Sequence, residues 1–344
     1  PRGVPAVLLR FIAMPTTCLI TGATGFVGGH VAEAAKARGL AVHAIARPGS
    51  DTALLEQLGA TIHRGDLTDA AVVRDAVQAV DAVVHCAAKV GDWGPVEEYR
   101  AVNVEGLRHL LEACKGRPLE RFVHLSSLGV YAARHHHGTD EAEPPPANHM
   151  DGYTQSKVEA EQLALQAHRQ DGVPVVVLRP GFIYGPRDRT LVPKIIGNLR
   201  KGRFRFVGSG KRTLNAIYVG NLVEAIFLAL EKPQAVGQVY NLTDGEPVSK
   251  KQFVGALVEG LGLPKPKPIS PPLPLARVLA WWMERDARKR GATKAPPLTQ
   301  ARLKFLGLNL DFSIEKAKRE LGYRPPYRFD EGMKETVAWY RANG

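Results

Sequence analysis

The sequence predicts an α/β fold: a doubly wound, mostly parallel sheet with a smaller C-terminal domain. Three observations carry this. Short apolar runs recur through the first half, each followed by a stretch of helical period. The first run leads straight into glycines at positions 22, 25 and 28. Past Gly181 the elements shorten and Pro and Gly become more frequent.

Strands are expected at Cys18–Thr21, Ala41–Ala46, Thr61–His63, Ala82–His85, Phe122–Leu125 and Val173–Leu178. Amphipathic helices fill the gaps, among them Gly28–Arg38, Val96–Cys114 and Tyr153–Gln170. Strands joined through helices pair in parallel, and such sheets bind ligands beyond their carboxyl ends. Arg179-Pro180-Gly181 closes the sixth strand. Farther on, Lys265–Pro274 reads as a proline-rich connector. Helices are expected at Leu275–Lys289, Thr299–Phe305, Ile314–Leu321 and Asp330–Ala342.

The glycines sit in Thr21-Gly22-Ala23-Thr24-Gly25-Phe26-Val27-Gly28, between strand and helix. Gly22 permits a tight turn. Gly25 lets backbone approach a pyrophosphate, and Gly28 lets the helix pack closely on the sheet. The helix start offers free amides and a positive dipole end to phosphates. The pattern predicts a Rossmann-type dinucleotide cradle. The organisation expected is an N-terminal extension over 1–13, ahead of a start-like Met14. An NAD(P)-binding domain follows over 14–185, with returning segments near 215–243, and 186–344 mostly binds substrate.

The end of the second strand bears on the choice of dinucleotide. It reads Ala44-Ile45-Ala46-Arg47-Pro48-Gly49-Ser50, with no acid before Asp51. An acid there binds ribose hydroxyls, whereas a guanidinium suits a 2′-phosphate. Arg47 and Ser50 therefore favour NADP(H). NAD(H), with Arg47 stacked on adenine, is the alternative.

Tyr153 and Lys157 are four residues apart on an expected helix, so they share a face. A phenol of ordinary pKa near 10 is a poor base. A neighbouring ammonium and a positive nicotinamide ring would bring it toward the working range. Ser127, just past a strand end, is placed to hold the reacting oxygen. These three are the expected catalytic residues.

The chain has 344 residues, a formal net charge of +12 and three cysteines. Cys18, Cys86 and Cys114 lack ligand spacing and read as reduced core residues, which points to the cytoplasm. No basic patch interleaved with aromatics supports nucleic-acid binding. His135-His136-His137 has no suitably spaced partners, so no metal is expected and a solvated loop is. No run is long enough to span a bilayer.

At these motifs the sequence resembles a known family. TGATGFVG, GDLTD (Gly65–Asp69), HCAAKVG (His85–Gly91), SSLGVY, YTQSK and RPGFIYGPRD are similar to the extended short-chain dehydrogenase/reductase family, also described as the NAD-dependent epimerase/dehydratase superfamily. The resemblance implies Ser127, Tyr153 and Lys157 as catalytic residues. It implies cofactor contacts from Gly22, Thr24, Gly25, Phe26, Val27 and Gly28, and from Asp66 and Leu67 at the adenine. Ala87, Ala88, Lys89 and Asn103 would line the cofactor, with Pro180 and Ile183 at the nicotinamide. It also suggests a homodimer through Val96–Cys114 and Tyr153–Gln170.

Within that family, Leu128 and Gly129 stand where dehydratases carry acids, which disfavours dehydration. Leu214 stands where nucleotide-sugar members carry an arginine, with Arg212 two residues away as a substitute. The segment Tyr218-Val219-Gly220-Asn221-Leu222 is similar to the 3β-hydroxysteroid dehydrogenase branch. The expectation is an oxidoreductase acting on a secondary alcohol or ketone of a largely apolar small molecule, of sterol or β-keto acid type. A nucleotide-sugar 4-epimerase retaining NAD, and a non-catalytic NADP-sensing protein, are the alternatives.

Leu275–Arg290 holds Trp281-Trp282 beside Arg285, Arg288, Lys289 and Arg290. It reads either as a lid helix packing its tryptophans on the core, which is preferred, or as a peripheral membrane contact. Glu141, Glu143 and prolines 144–146 read as a mobile lid edge. Arg187 and Arg189 stand equally as ligands for a substrate anion and as solvated loop charges.

Overall fold

In the computed structural model, residues 15–267 and 271–343 are described. The expected extension over 1–13, Met14, and residues 268–270 of the connector lie outside them.

Seven parallel strands form the main sheet: β1 (Thr17–Thr21), β2 (Ala41–Ala46), β3 (Thr61–Arg64), β4 (Ala82–His85), β5 (Arg121–Leu125), β6 (Val175–Pro180) and β7 (Val239–Leu242). Their order is β7-β6-β5-β4-β1-β2-β3. The chain winds outward from β1 to β3, then crosses back to place β4 on the other side of β1. The order reverses there, which opens a crevice beyond the carboxyl ends of β1 and β4. This is the doubly wound α/β architecture. Every residue of β4, β5 and β6 is buried, as parallel strands covered on both faces require.

Thirteen helices are described: α1 (Phe26–Ala37), α2 (Ala53–Gln57), α3 (Ala70–Gln78), α4 (Val96–Arg100), α5 (Gly106–Cys114), α6 (Gly152–Asp171), α7 (Leu191–Arg200), α8 (Val219–Glu231), α9 (Lys250–Leu261), α10 (Leu273–Lys289), α11 (Gln300–Gly307), α12 (Glu315–Glu320) and α13 (Phe329–Asn343). One sheet face is covered by α1, α8 and α12, through Val31, Ala35, Leu222, Ile226 and Ala317. The other is covered by α3, α5 and α6. On α5 the buried Leu107, Leu110, Leu111 and Cys114 fall at helical spacing, one apolar stripe toward the sheet. Beyond the sheet, α9 and α13 pack around Tyr184, Tyr218, Phe253 and Phe329. Helices α10 and α11 pack together over Val207, Ala276, Ala280 and Leu303.

Two expectations change. The single helix over Val96–Cys114 is interrupted: a π-helical turn at Ala101–Glu105 separates α4 from α5. Such turns aim a side chain off the regular face, and here it is Asn103. The histidine tract is not a solvated loop. Residues His136–Thr139 form a short strand pairing with Leu310–Phe312, and His136 is fully buried, its ring bonded to Thr139 Oγ1 (3.0 Å) and the Ala132 carbonyl (2.9 Å).

Candidate active site

The glycine turn follows β1 and opens α1. Gly22 has φ of 68°, and a Cβ there would lie 2.9 Å from Ala87 backbone atoms. Glycine at 22 therefore lets the turn lie directly against the segment leaving β4. Gly28 packs against the turn rather than the sheet: its Cβ would lie 2.3 Å from the Gly22 carbonyl oxygen. Gly25 is exposed, donates its N–H to that carbonyl (2.9 Å), and starts α1 with no side-chain cap. The first amides of α1 are thus left for a ligand, and Thr24, Phe26 and Val27 surround them.

Around this turn the other expected cofactor residues gather at strand ends. Ala87 donates its N–H to Thr21 Oγ1 at 3.2 Å. Lys89 is clamped by Asn103, which accepts its N–H (2.7 Å) and donates to its carbonyl (3.0 Å) and to Ser156 Oγ (2.8 Å). The π-turn thus fixes the strand exit containing Ala88. Asp66 lies in the turn after β3, its Oδ1 accepting the Thr68 N–H at 3.0 Å, and Leu67 beside it is buried. Arg47 to Ser50 is a tight turn closed by Ser50 N–H to the Arg47 carbonyl (3.0 Å), with Gly49 at φ 79°. The Arg47 side chain is exposed there. Pro180 ends β6. Ile183 lies on the next short strand, paired with Ile217.

The expected catalytic residues come together where α6 passes the ends of β4 and β5. Asp151 caps α6 by accepting the Thr154 N–H at 2.8 Å, which places Tyr153 in the first turn. The Ser127 side chain stands close enough to the Tyr153 phenol to favour its ionised form. Ser127 Oγ accepts the Gly129 N–H at 2.9 Å, so its lone pair is aimed by a short helical turn. Burial pushes the Tyr153 phenol up to about 12; the Asp151 charge adds to the rise and the Ser127 side chain opposes it. Lys157 shares the face but donates to the Leu125 carbonyl. Burial pulls its ammonium down to about 8, against Glu161 and Cys86. Burial dominates the phenol, and the Lys157 ammonium is turned to the Leu125 carbonyl of β5.

Several supporting residues escaped the sequence reading. Glu161 and Arg179 form a buried pair, with Arg179 Nε 3.0 Å from Glu161 Oε2. Ser126 Oγ donates to Glu161 (2.6 Å) and Arg179 to the Tyr131 hydroxyl (2.7 Å), which fixes the strand exit around Ser127 from both sides. Lys304, buried on α11, donates to the carbonyls of Gly129 and Tyr131. His85 and His124 stack beneath Lys157 with ring centroids 5.5 Å apart, and burial holds His85 down at about 3. Carbonyl acceptors and core histidines leave no pattern in a sequence.

Other expectations are revised by their partners. Arg187 is paired with Glu33 of α1, whereas Arg189 is exposed. Arg212 is drawn to the Gly307 carbonyl. Glu141 is pinned by the Asn241 N–H (2.7 Å) and Glu143 by Arg134, so that edge is tied to the sheet. Trp281 and Trp282 do not pack on the core: they are 51% and 66% exposed, because α10 turns Ala276, Ala280, Glu284 and Ala287 inward. Among the described residues, no cluster of His, Cys, Asp or Glu could hold a metal ion, and no helix is long and apolar enough to cross a membrane. A cavity of about 350 Å³ adjoins the start of α6, between Trp93–Pro95, Met150–Gly152, Glu284 and Arg288.

Residues 18–243 match the model of the NAD dependent epimerase/dehydratase family. A 2-alkyl-3-oxoalkanoate reductase of Stenotrophomonas maltophilia is 34% identical, over 93% of this chain and 98% of that protein. A 3 beta-hydroxysteroid dehydrogenase/Delta 5-->4-isomerase of Mycobacterium tuberculosis is 33% identical, over 94% and 90%. Among solved structures, a UDP-glucuronic acid 4-epimerase of Bacillus cereus, in complex with UDP-glucuronic acid and NAD, superposes with a TM-score of 0.75 at 23% identity, covering 95% of this chain and 99% of that one. That last likeness is one of fold.

Proposed function

The chain belongs to the NAD-dependent epimerase/dehydratase family, and on that premise we propose that it is an oxidoreductase moving hydride between a nicotinamide and the secondary alcohol or ketone carbon of a largely apolar substrate. NADP(H) is the preferred form. The observation that carries the reading is the grouping of Ser127 and Tyr153 beside β4 and β5, with Lys157 one turn along α6.

Gly22, Thr24, Gly25, Phe26, Val27 and Gly28 would hold the pyrophosphate, because α1 starts without a side-chain cap on its first amides. Arg47 and Ser50 would take a 2′-phosphate, and Asp66 and Leu67 the adenine. Ala87, Ala88, Lys89 and Asn103 would line the middle, with Pro180 and Ile183 at the nicotinamide end. When bound, the nicotinamide supplies the hydride acceptor or donor and, oxidised, a positive charge near the phenol. In reduction, Tyr153 gives its proton to the substrate oxygen while Ser127 donates a hydrogen bond to it. In oxidation, the Tyr153 phenolate takes the hydroxyl proton. The raised pKa keeps the phenol protonated at rest, the form that supplies a proton in reduction. Lys157, freed from the Leu125 carbonyl, would stabilise the phenolate left behind.

The 186–344 portion is assigned mostly to the substrate, around the cavity at the start of α6. An apolar substrate is supported by the named activities of the two relatives. The nucleotide-sugar reading loses ground because Leu214 is buried and Arg212 is engaged by Gly307. The test is Tyr153→Phe. Quenching of NADPH fluorescence should persist while ketone reduction falls about 10²–10⁴-fold. Turnover near the wild-type level would overturn the assignment.

A further inference from the structure

The two tryptophans of α10 belong to a larger surface. Eight large hydrophobic side chains are exposed among the described residues, and six are on this one helix: Leu275, Val278, Leu279, Trp281, Trp282 and Met283. The other two are Val90 and Met150, and Met150 lines the cavity beside α10. Singly exposed hydrophobics are ordinary, but a contiguous group marks an interaction surface. No sequence feature of the hydride-transfer site requires it.

The charges nearby say what the surface fits. The apolar residues occupy the first three turns of α10. Its last turns, and the loop that follows, expose Arg285, Arg288, Lys289, Arg290 and Lys294. Two acids stand among them: Asp286 pairs with Arg290, and Glu284 lies 3.5 Å from Arg288 and is nearly buried. The Arg285 guanidinium lies over the Trp281 ring, 5.3 Å from its centroid. Lys265 and Lys267 add positive charge just before the helix. Pairing this face with a second copy of itself would offer the basic turns no acidic partner. An anionic bilayer complements both parts: acyl chains meet the apolar turns, tryptophans sit at the interface, and headgroups meet the basic turns. The net charge of +12 draws the protein toward the same surface.

We propose that α10 is a membrane-docking helix that seats the protein on anionic lipid and brings the cavity beside Met150 down to the bilayer. The inference concerns binding alone and stands apart from the reaction. The test is co-sedimentation with phosphatidylcholine vesicles, with and without phosphatidylglycerol, at low and high salt. The wild type should pellet with the anionic vesicles, less so at high salt, and its tryptophan emission should shift to the blue. Trp281→Ala/Trp282→Ala should weaken partitioning about tenfold. Arg285→Ala/Lys289→Ala should abolish the preference for phosphatidylglycerol. NADPH titration of each variant checks the fold. The proposal is overturned if the wild type stays in the supernatant with both vesicle types, or if the tryptophan variant pellets as well as wild type. It is equally overturned if that variant splits a dimer in sedimentation velocity without lipid, since the face then belongs to a second copy. Turnover is not read, so failure here leaves the proposed hydride transfer untouched.

Discussion

Gly28→Ala and Gly25→Ala differ by one methyl at two positions of the same turn, yet they should fail in different ways. At 28 the added carbon would stand 2.3 Å from the Gly22 carbonyl oxygen, 2.6 Å from its carbon and 2.8 Å from the Ala23 nitrogen. All three are backbone atoms, so no flexible side chain can yield. Ordinary contact would require the turn to retreat by about 1 Å. Gly22 is itself held against Ala87 and cannot follow freely. The overpacking should cost about 1–3 kcal/mol of stability. It should also displace the amides of α1, weakening NADPH by about tenfold or more. At 25 the carbon would lie 3.1 Å from the Gly22 oxygen, which must give by only a few tenths of an ångström, and would meet nothing else within 4 Å. Gly25→Ala should therefore shift the urea midpoint far less than Gly28→Ala and still lose NADPH, because the methyl occupies the approach of the phosphates. Urea denaturation and NADPH fluorescence titration of both variants separate the cases. Wild-type affinity in Gly25→Ala would refute the cradle as the phosphate site. An unshifted midpoint in Gly28→Ala would refute the packing argument.

Three further outcomes are expected. Arg47→Ala should weaken NADPH by about tenfold while leaving NADH nearly unchanged, since one charge-assisted contact to a 2′-phosphate is removed; equal losses for both would reassign Arg47 to the adenine. Acid should destabilise the fold through His85, which titrates near 6.5 when unfolded but is held at about 3 when folded. The unfolded chain then binds a proton that the native one refuses, so stability held above pH 6.5 is lost as pH falls, by about 2 kcal/mol at pH 5. Equal urea midpoints at pH 7 and pH 5 would contradict this. Asn103→Ala leaves the Lys89 N–H and carbonyl without their partner, so a stability loss of about 1–3 kcal/mol and weaker NADPH binding are expected; wild-type values of both would remove Asn103 from the cofactor wall.

What the sequence discloses follows from how each feature is encoded. The strands of the sheet centre were legible because a strand buried on both faces must be apolar throughout, as in Val175-Val176-Val177-Leu178. Tyr153 and Lys157 were legible as a shared face because four residues is nearly one helical turn. The π-turn at Ala101–Glu105 was not. It preserves the apolar stripe on either side, and only the backbone shows the extra residue that turns Asn103 inward. The direction of the Lys157 ammonium was not legible either, for its partner is a main-chain carbonyl, which any residue could have supplied.

The same logic separates the two readings of α10. Leu275, Val278, Leu279 and Trp282 recur at helical spacing, the mark of a face that is covered by something. Periodicity records that a face avoids water and is silent on whether the cover is the chain's own core. Here the core side of the helix is built from Ala276, Ala280 and Ala287, residues too small to announce themselves beside two tryptophans. Small residues let α10 lie close against α11, and that close approach turns the large ones outward. The amphipathic pattern of this segment thus has two apolar sides, one satisfied within the fold and one presented to the surroundings.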